Sequence, residues 1–403
     1  MTKARTLADY VAGGTTAAEF DYMDGVTSNV QTQLDAKLPL AGGTMTGDLV
    51  PATPMSNRNM IINGGMQVWQ RASGTTTISN GYHTADRILF GEGNDGAYTS
   101  EKHDMSLAEL NTTGHRTALQ LDVTTADTTL GSSVYTYYCH RIEAQNLAPL
   151  RYGTANAKTI TLSFWVKSNK TGVYTICFRK NDGTVYYLIK EYTIDSADTW
   201  EQKKITITPT EGSTTLITNS GGEIDNNNGV GLELYFGLGY GSNYHTTKDT
   251  WSTNEDYSTS SAVNWMDSTS NNYYVTGIQL ELGSSATPFE HRSYGEELIR
   301  CMRYFEKETL TSGEGGSGHT LIGRTNQHRC NVGFKVTKRA QPSFSDLGPS
   351  SGNIYYNGGT LSFTTPTISE ISIYNFRPSF PNSSSTTSYG YINGFVWSAD
   401  CEL

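Results

Sequence analysis

Thr159-Ile-Thr-Leu-Ser-Phe-Trp-Val-Lys167, Val173-Tyr-Thr-Ile-Cys-Phe178 and Val185-Tyr-Tyr-Leu-Ile189 decide the fold class. Apolar and polar residues alternate clearly in the first run, the period of a pleated strand with one buried face, and the other two are short runs rich in β-branched and aromatic residues. Asn181-Asp-Gly-Thr184 stands between the second and third runs. Asp-Gly supplies the positive φ angles of a tight turn, so these two runs are predicted to form a hairpin. Working outward, the same alternation marks Ala118–Val123, Lys204–Thr208 after Trp200, Gly231–Leu238 and Tyr274–Leu282. Asn59–Arg71 and Ala85–Phe90 open this region. Many short strands, polar turns and no helical periodicity predict a β-sandwich over residues 58–291.

Composition agrees. The 403 residues include 41 Gly and 25 Tyr, and only 17% are charged. Average Gly usage is nearer ~7%. At roughly 150 residues per domain the length suggests two or three domains. The net charge of −10, without Lys/Arg stripes, argues against nucleic acid as a partner, because phosphate neutralisation supplies most of that affinity. No apolar run approaches the ~18 residues of a membrane span. The start, Met1–Asp9, lacks an apolar core and is not read as a signal peptide. Cys139, Cys177, Cys301, Cys330 and Cys401 are far apart and odd in number. They are expected to be buried, reduced thiols in a chain assembled in a reducing cytoplasm.

Residues 1–19 hold only Leu7, Tyr10 and Val11 as large apolar side chains and read as a tether. In the 20–57 segment, Phe20, Met23, Thr27, Val30 and Leu34 fall at a/d spacing, with Gly25 weakening the helix. Two heptads are too short for an isolated helix. The seam is therefore expected to associate with parallel copies of itself.

Gln31-Thr-Gln-Leu-Asp-Ala-Lys37 followed by Gly42-Gly-Thr-Met-Thr-Gly-Asp-Leu49 resembles the stem of bacteriophage tail fibres. That resemblance implies a homotrimer, with Phe20, Met23, Val30 and Leu34 on the trimer axis and Leu7, Tyr10 and Val11 attaching to the phage tail or an adaptor protein. Ser163-Phe-Trp-Val-Lys167, Thr199-Trp-Glu201 and Gln279-Leu-Glu-Leu282, in that order, resemble jelly-roll carbohydrate-binding modules. With Ala286-Thr-Pro-Phe-Glu-His-Arg292 they also resemble globular domains of marine and cyanobacterial phage fibres.

Ser293 and Glu296 form a capping-box pattern, and Leu298, Cys301, Met302 and Phe305 share one helical face. A linker helix is predicted over 292–307. Tyr294–Phe305 resembles a linker of phage fibres leading to a distal head, here 308–403. Val332–Pro342 and the closing Ala399-Asp-Cys-Glu-Leu403 resemble segments of the same proteins. Thr360–Thr364, Ile371–Phe376 and Tyr389–Trp397 read as strands of this small β head. The expected fold class is thus mainly β: a short trimeric coiled-coil/β stem, a jelly-roll-like sandwich, a linker helix and a small β-sandwich head.

Catalytic patterns fail in context. Gly313-Glu-Gly-Gly-Ser-Gly318 matches a dinucleotide loop literally, but a helix precedes it and a strand follows, the reverse of what phosphate binding needs. Gly348-Pro-Ser-Ser-Gly352 matches a nucleophile elbow without a following helix. The eight histidines never pair at i,i+4. Asp225-Asn-Asn-Asn-Gly229 offers oxygens to a structural calcium, but lacks the downstream Glu of an EF-hand loop, and an Asn-rich turn is the favoured reading. No catalytic residue, cofactor or other metal is expected.

Sugars present C–H faces to aromatic rings and hydroxyls to Asn, Ser, Thr and Asp. Two regions combine these. One runs from Tyr240 through Tyr244, Trp251 and Tyr257 to Trp265, a long loop of the kind that often carries function. The other is the head, with Tyr355, Tyr356, Tyr389, Tyr391 and Trp397. Ordinary sheet packing is the competing explanation for both. The expected function is a virion tail fibre that adheres to bacterial surface polysaccharide or lipopolysaccharide without membrane insertion or covalent chemistry. A polysaccharide-cleaving spike, a capsid or neck fibre, and a cellular carbohydrate-binding module are the alternatives.

Overall fold

The computed structural model describes residues 56–310, 321–324, 326–356, 359–383, 389–392 and 395–403. The tether residues Leu7, Tyr10 and Val11, the stem residues Phe20, Met23, Val30 and Leu34, and the Gly313–Gly318 loop lie outside the described residues.

The chain is mainly β. Its first body contains β1 (Thr76–Thr77), β2 (Gly81–Tyr82), β3 (Leu89–Gly93), β4 (Ala97–Asp104), helix α1 (Leu107–Thr113), β5 (Thr117–Thr125) and β6 (Tyr135–Glu143). It continues with β7 (Ile160–Ser168), β8 (Gly172–Lys180), β9 (Tyr186–Ile194), β10 (Glu201–Ile207), β11 (Val230–Tyr240) and β12 (Asn272–Leu282). One antiparallel sheet has the order β1-β4-β5-β12-β7-β10, and the other β2-β3-β6-β11-β8-β9. Together they make a jelly-roll-like sandwich. The predicted hairpin is β8–β9, with Asp182 at φ 62° and Gly183 at φ 51° in its turn. Strands β3, β4 and β6 were not among the predicted set.

Alternation puts Leu119, Leu121, Leu162, Phe164, Val166 and Leu280 of one sheet against Tyr138, Ile176, Phe178, Leu188, Leu234 and Phe236 of the other. Burying such side chains removes roughly 1.5–3 kcal/mol each of unfavourable apolar hydration. Tyr273 brings its hydroxyl within 2.9 Å of both Tyr138 and Tyr192, so these buried phenols satisfy one another.

Helix α2 (Tyr294–Met302) starts with the expected capping box: Glu296 N–H donates to Ser293 Oγ at 3.3 Å, and Ser293 N–H to the Glu296 carboxylate at 3.0 Å. The predicted helix ran to residue 307. It ends earlier because Phe305 pairs with Asp400 as the start of a strand.

The head comprises β13 (Phe305–Leu310), β14 (Leu321–Arg324), β15 (Gln327–Arg329), β16 (Val332–Gly333), β17 (Ser343–Gly348), β18 (Ser351–Tyr356), β19 (Gly359–Thr364), β20 (Thr367–Ser369), β21 (Asn375–Pro381), β22 (Tyr389–Ile392) and β23 (Phe395–Asp400). A sheet β13-β23-β17 and an eight-stranded sheet share a core of Leu321, Ile354, Phe363, Phe376, Phe380, Phe395 and Trp397. Two predicted strands differ. Residues 371–374 form a turn in which Ser372 Oγ accepts from the N–H groups of Tyr374 and Asn375, at 3.1 and 3.0 Å. The predicted Tyr389–Trp397 strand is two strands in different sheets.

The end of the chain returns to the sandwich. Arg71 bonds Asp400 at 2.9 Å and lies 3.7 Å from the Phe305 ring centre. Arg87 pairs with Glu402 and sits 3.5 Å over the Tyr304 ring. Arg303 grips both oxygens of buried Glu143, at 2.9 and 3.0 Å. All five cysteines are free and buried. No described helix is long and apolar enough to cross a membrane.

Candidate functional site: a tyrosine-walled pocket

Strand β6 alternates strictly. Tyr138, His140 and Ile142 are buried on its inner side, while Tyr135 and Tyr137 project to the opposite face. Beside them on β11, Tyr235 pairs with Cys139 of β6 and Cys177 of β8. On the other side lies β3, whose Gly91 and Gly93 pair with Tyr137 and Tyr135. A Cβ on Gly91 would fall 2.1 Å from Cζ of Tyr137, and one on Gly93 would fall 2.7 Å from Cε1 of Tyr135. The two glycines therefore let both rings lie down across the sheet.

The loop after β11 folds over this surface. Tyr257 and Ser258 donate their N–H groups to the Tyr244 carbonyl, both at 3.0 Å. Ser252 exchanges backbone hydrogen bonds with Tyr187 at 2.8 and 2.9 Å, and Thr259 Oγ1 donates to Glu191 at 2.6 Å. These ties set Tyr244, Glu255 and Tyr257 beside Tyr135, Tyr137, Tyr235 and Tyr240. The result is a pocket of about 180 Å³ lined by six tyrosines and one glutamate.

Burial raises the phenol pKa of Tyr137, Tyr235, Tyr240 and Tyr257, so they remain neutral hydroxyls at ordinary pH. Burial also pushes the thiols of Cys139 and Cys177 up, leaving them unreactive apolar floor. Tyr257 donates to Glu255 at 2.9 Å and Tyr235 to Glu233 at 3.0 Å. Glu233, 1% exposed, is also held by Arg141 at 2.6 Å, Asn181 at 2.9 Å and Arg179. The Tyr240 hydroxyl is buried and makes no hydrogen bond. Such a group gains from any ligand that supplies a partner.

Of the residues singled out in the sequence, Tyr244 and Tyr257 line this pocket. Trp251 and Trp265 do not. They are 2% and 0% exposed in the inter-sheet core, with indole N–H groups donating to the Thr208 carbonyl at 3.0 Å and the Asn272 carbonyl at 3.1 Å. Trp397 is likewise core, packed on Phe376 at 4.8 Å. These indoles offer no face to a ligand. Tyr355 is 38% exposed on β18 and pairs across the sheet with Tyr391. Tyr356 and Tyr389 lie on β18 and β22, and the side chains of Tyr356, Tyr389 and Tyr391 are outside the described residues.

Asp225 accepts from Asn227 Nδ2 at 3.2 Å. Among the described residues no three acidic, His or Cys side chains gather as a metal cluster. Near Asp225 the Lys180 ammonium donates to the carbonyls of Asp182, Thr184 and Gly221 at 2.8, 3.0 and 2.9 Å. A side-chain cation thus occupies a nest of carbonyl oxygens.

The sequence reading missed Tyr135, Tyr137, Tyr235 and Glu255, and did not single out Tyr240. A signal existed: Tyr135-Thr-Tyr137 alternates like the chosen strands, and Gly91-Glu-Gly93 alternates to match.

No family model matches the chain, and no curated protein matches it. Solved structures give distant likenesses. A sugar-binding protein from Bacteroides thetaiotaomicron, described as putative, matches at 11% identity over 56% of this chain and 100% of that one, with a TM-score of 0.30. The enzymatically active domain of tailspike protein 4 from bacteriophage CBA120 matches at 14% identity over 56% of this chain and 21% of that one, at 0.26. The family 11 carbohydrate-binding module of a Clostridium thermocellum cellulosomal cellulase matches at 11% identity over 54% of this chain and 99% of that one, also at 0.26. At these scores the likenesses carry no functional assignment.

Proposed function

We propose that this chain is a phage tail-fibre subunit that binds bacterial surface glycan in the tyrosine pocket. The carrying observation is the pocket itself: six phenols around about 180 Å³, one with a buried hydroxyl lacking a partner. Aromatic walls with a few polar atoms suit a sugar's mixed surface. The stem motif supports a homotrimer joined to the tail through its N-terminal segment, and three weak sites on one fibre would multiply by effective concentration. The reading is adhesion without cleavage. Glycoside hydrolysis needs two available carboxylates, whereas Glu233 is engaged by two arginines and Glu255 is the one carboxylate among the described lining residues.

The test compares labelled wild-type protein with the Tyr244→Ala/Tyr257→Ala variant on host cells and on purified host polysaccharide. Wild type should bind and the variant should lose at least about tenfold in affinity, roughly 1.4 kcal/mol. Equal binding by both overturns the pocket assignment. New reducing ends in the polysaccharide overturn the reading of adhesion without cleavage. Light scattering on the full chain tests the trimer.

A further inference from the structure

The pocket's shape and charge select among sugars. Its rings meet at mixed angles: Tyr240 lies near parallel to Tyr137 and Tyr257, at 8° and 7°, and other pairs cross. Tyr244 crosses Tyr135 at 90°, Tyr240 at 66° and Tyr257 at 69°, with centroids 6.2, 5.7 and 6.0 Å away. Tyr235 crosses Tyr137 at 73° and Tyr257 at 68°. A flat shelf stacks one face of a pyranose; rings set at mixed angles meet a compact group from several sides. The volume of about 180 Å³ lies below the ~300 Å³ lower end for small-molecule sites. One small group or one ring fits, not a length of polymer.

The charge of the described lining is negative. Each phenol face is the negative pole of its quadrupole. Glu255 adds a carboxylate, and the described lining contains no Lys, Arg or His. The neighbouring cations Arg141 and Arg179 are engaged by Glu233. The Tyr240 hydroxyl has a free oxygen lone pair and no donor to fill it.

We propose that the pocket selects an ammonium group, so that its ligand is a sugar bearing a free, non-acetylated amine. This rests on the glycan-binding reading above and adds the charge of the ligand. The ammonium lies among the ring faces, donates one N–H to the Tyr240 oxygen and pairs with Glu255. A neutral hexose gains none of the cation–π attraction. An N-acetyl group removes the charge and adds bulk. A uronic acid meets the like charge of Glu255, and the neighbouring Arg141 and Arg179 are already held by Glu233.

The experiment titrates the full chain with glucosamine, N-acetylglucosamine and glucose at about pH 6, where an α-amino-type group is protonated. Tyrosine fluorescence and calorimetry are the readouts. Glucosamine should bind about tenfold more tightly than either neutral sugar, within the range of desolvated cation–π pairs. Glu255→Gln should shrink that preference several-fold. Tyr240→Phe, which removes a hydroxyl with no partner in the protein, should weaken glucosamine several-fold without lowering Tm. Equal affinity for all three sugars overturns the ammonium inference and leaves glycan binding standing. Binding of none of them, by protein that still attaches to host cells through Tyr244 and Tyr257, overturns the inference alone. Loss of both overturns both readings.

Discussion

Arg87 and Glu402, 315 positions apart in sequence, form an ion pair at the seam between sandwich and head, with side chains 1% and 4% exposed. Burial works against the Arg87 charge, and Glu402 together with Tyr304, Tyr82 and Cys301 outweighs it, so Arg87 stays protonated. Removing Glu402 leaves Arg87 buried without a carboxylate, whereas removing Arg87 leaves Glu402 on Arg71 at 3.3 Å. Glu402→Gln alone should cost about 3–5 kcal/mol, and Arg87→Met less, because Arg71 still pairs with Glu402. The double variant Arg87→Met/Glu402→Leu should recover much of that loss. Urea midpoints of the four proteins check this, and single-variant losses under about 1 kcal/mol would assign the pair no structural role.

Gly91 should be intolerant for a local reason. Its missing Cβ is the space in which the Tyr137 ring lies. Gly91→Ala is expected to lift that ring, cost about 1–3 kcal/mol and weaken ligand binding in the pocket. A binding curve identical to wild type would count against it.

Acid should act through opposing groups. Burial pushes His115 down to about 4, with His291 adding to the effect, and lowers His140 further. The unfolded chain takes up these protons first, so acidification below about pH 6.5 destabilises the fold. Burial pushes Asp86 up to about 6, against Arg71 and Gln70. Here the folded chain takes the proton first, so between about pH 6 and 4 Asp86 stabilises the fold on acidification. Asp86→Asn deletes that offset. Its stability should fall more steeply than wild type across this window, by on the order of 2 kcal/mol. Denaturation series at several pH values give the two slopes.

The two loop tryptophans should separate stability from binding. Trp251→Ala and Trp265→Ala each remove a fully packed indole and should cost about 3–5 kcal/mol. Trp251→Phe should keep wild-type affinity for the ligand. A large affinity loss in that variant would return Trp251 to the binding surface.

Chelation provides a further check. Lys180 fills the carbonyl nest near Asp225, so EDTA should leave Tm unchanged. Lys180→Met leaves three carbonyls without that donor and should lose about 1–3 kcal/mol. A Tm that drops on chelation would place a cation elsewhere in the fold.

The sandwich was legible wherever strands alternate between aliphatic and polar residues, as in β7 and β12. Strand β6 was not, because both its faces carry aromatic or polar side chains: Tyr135 and Tyr137 on one, Tyr138 and His140 on the other. The period survives there, but hydrophobicity does not report it. The same cause hid half of the pocket. Trp251 and Trp265 stood out in the loop because indoles bind sugars, yet large rings also fill cores, and burial depends on contacts far away in sequence. The predicted helix overran because Cys301, Met302 and Phe305 continue the apolar spacing; only the pairing of Phe305 with Asp400 ends it.

The return of the chain end to Arg71 and Arg87 also sets an order of events during synthesis. At roughly 5–20 residues per second, a ribosome reaches residue 402 some 16–63 s after residue 87, by that rate. From the completion of β12 at Leu282 until then, the nascent sandwich holds two arginines whose partners Asp400 and Glu402 are still unmade. Prematurely terminated products keep that defect and should be the preferred substrates of cellular proteases.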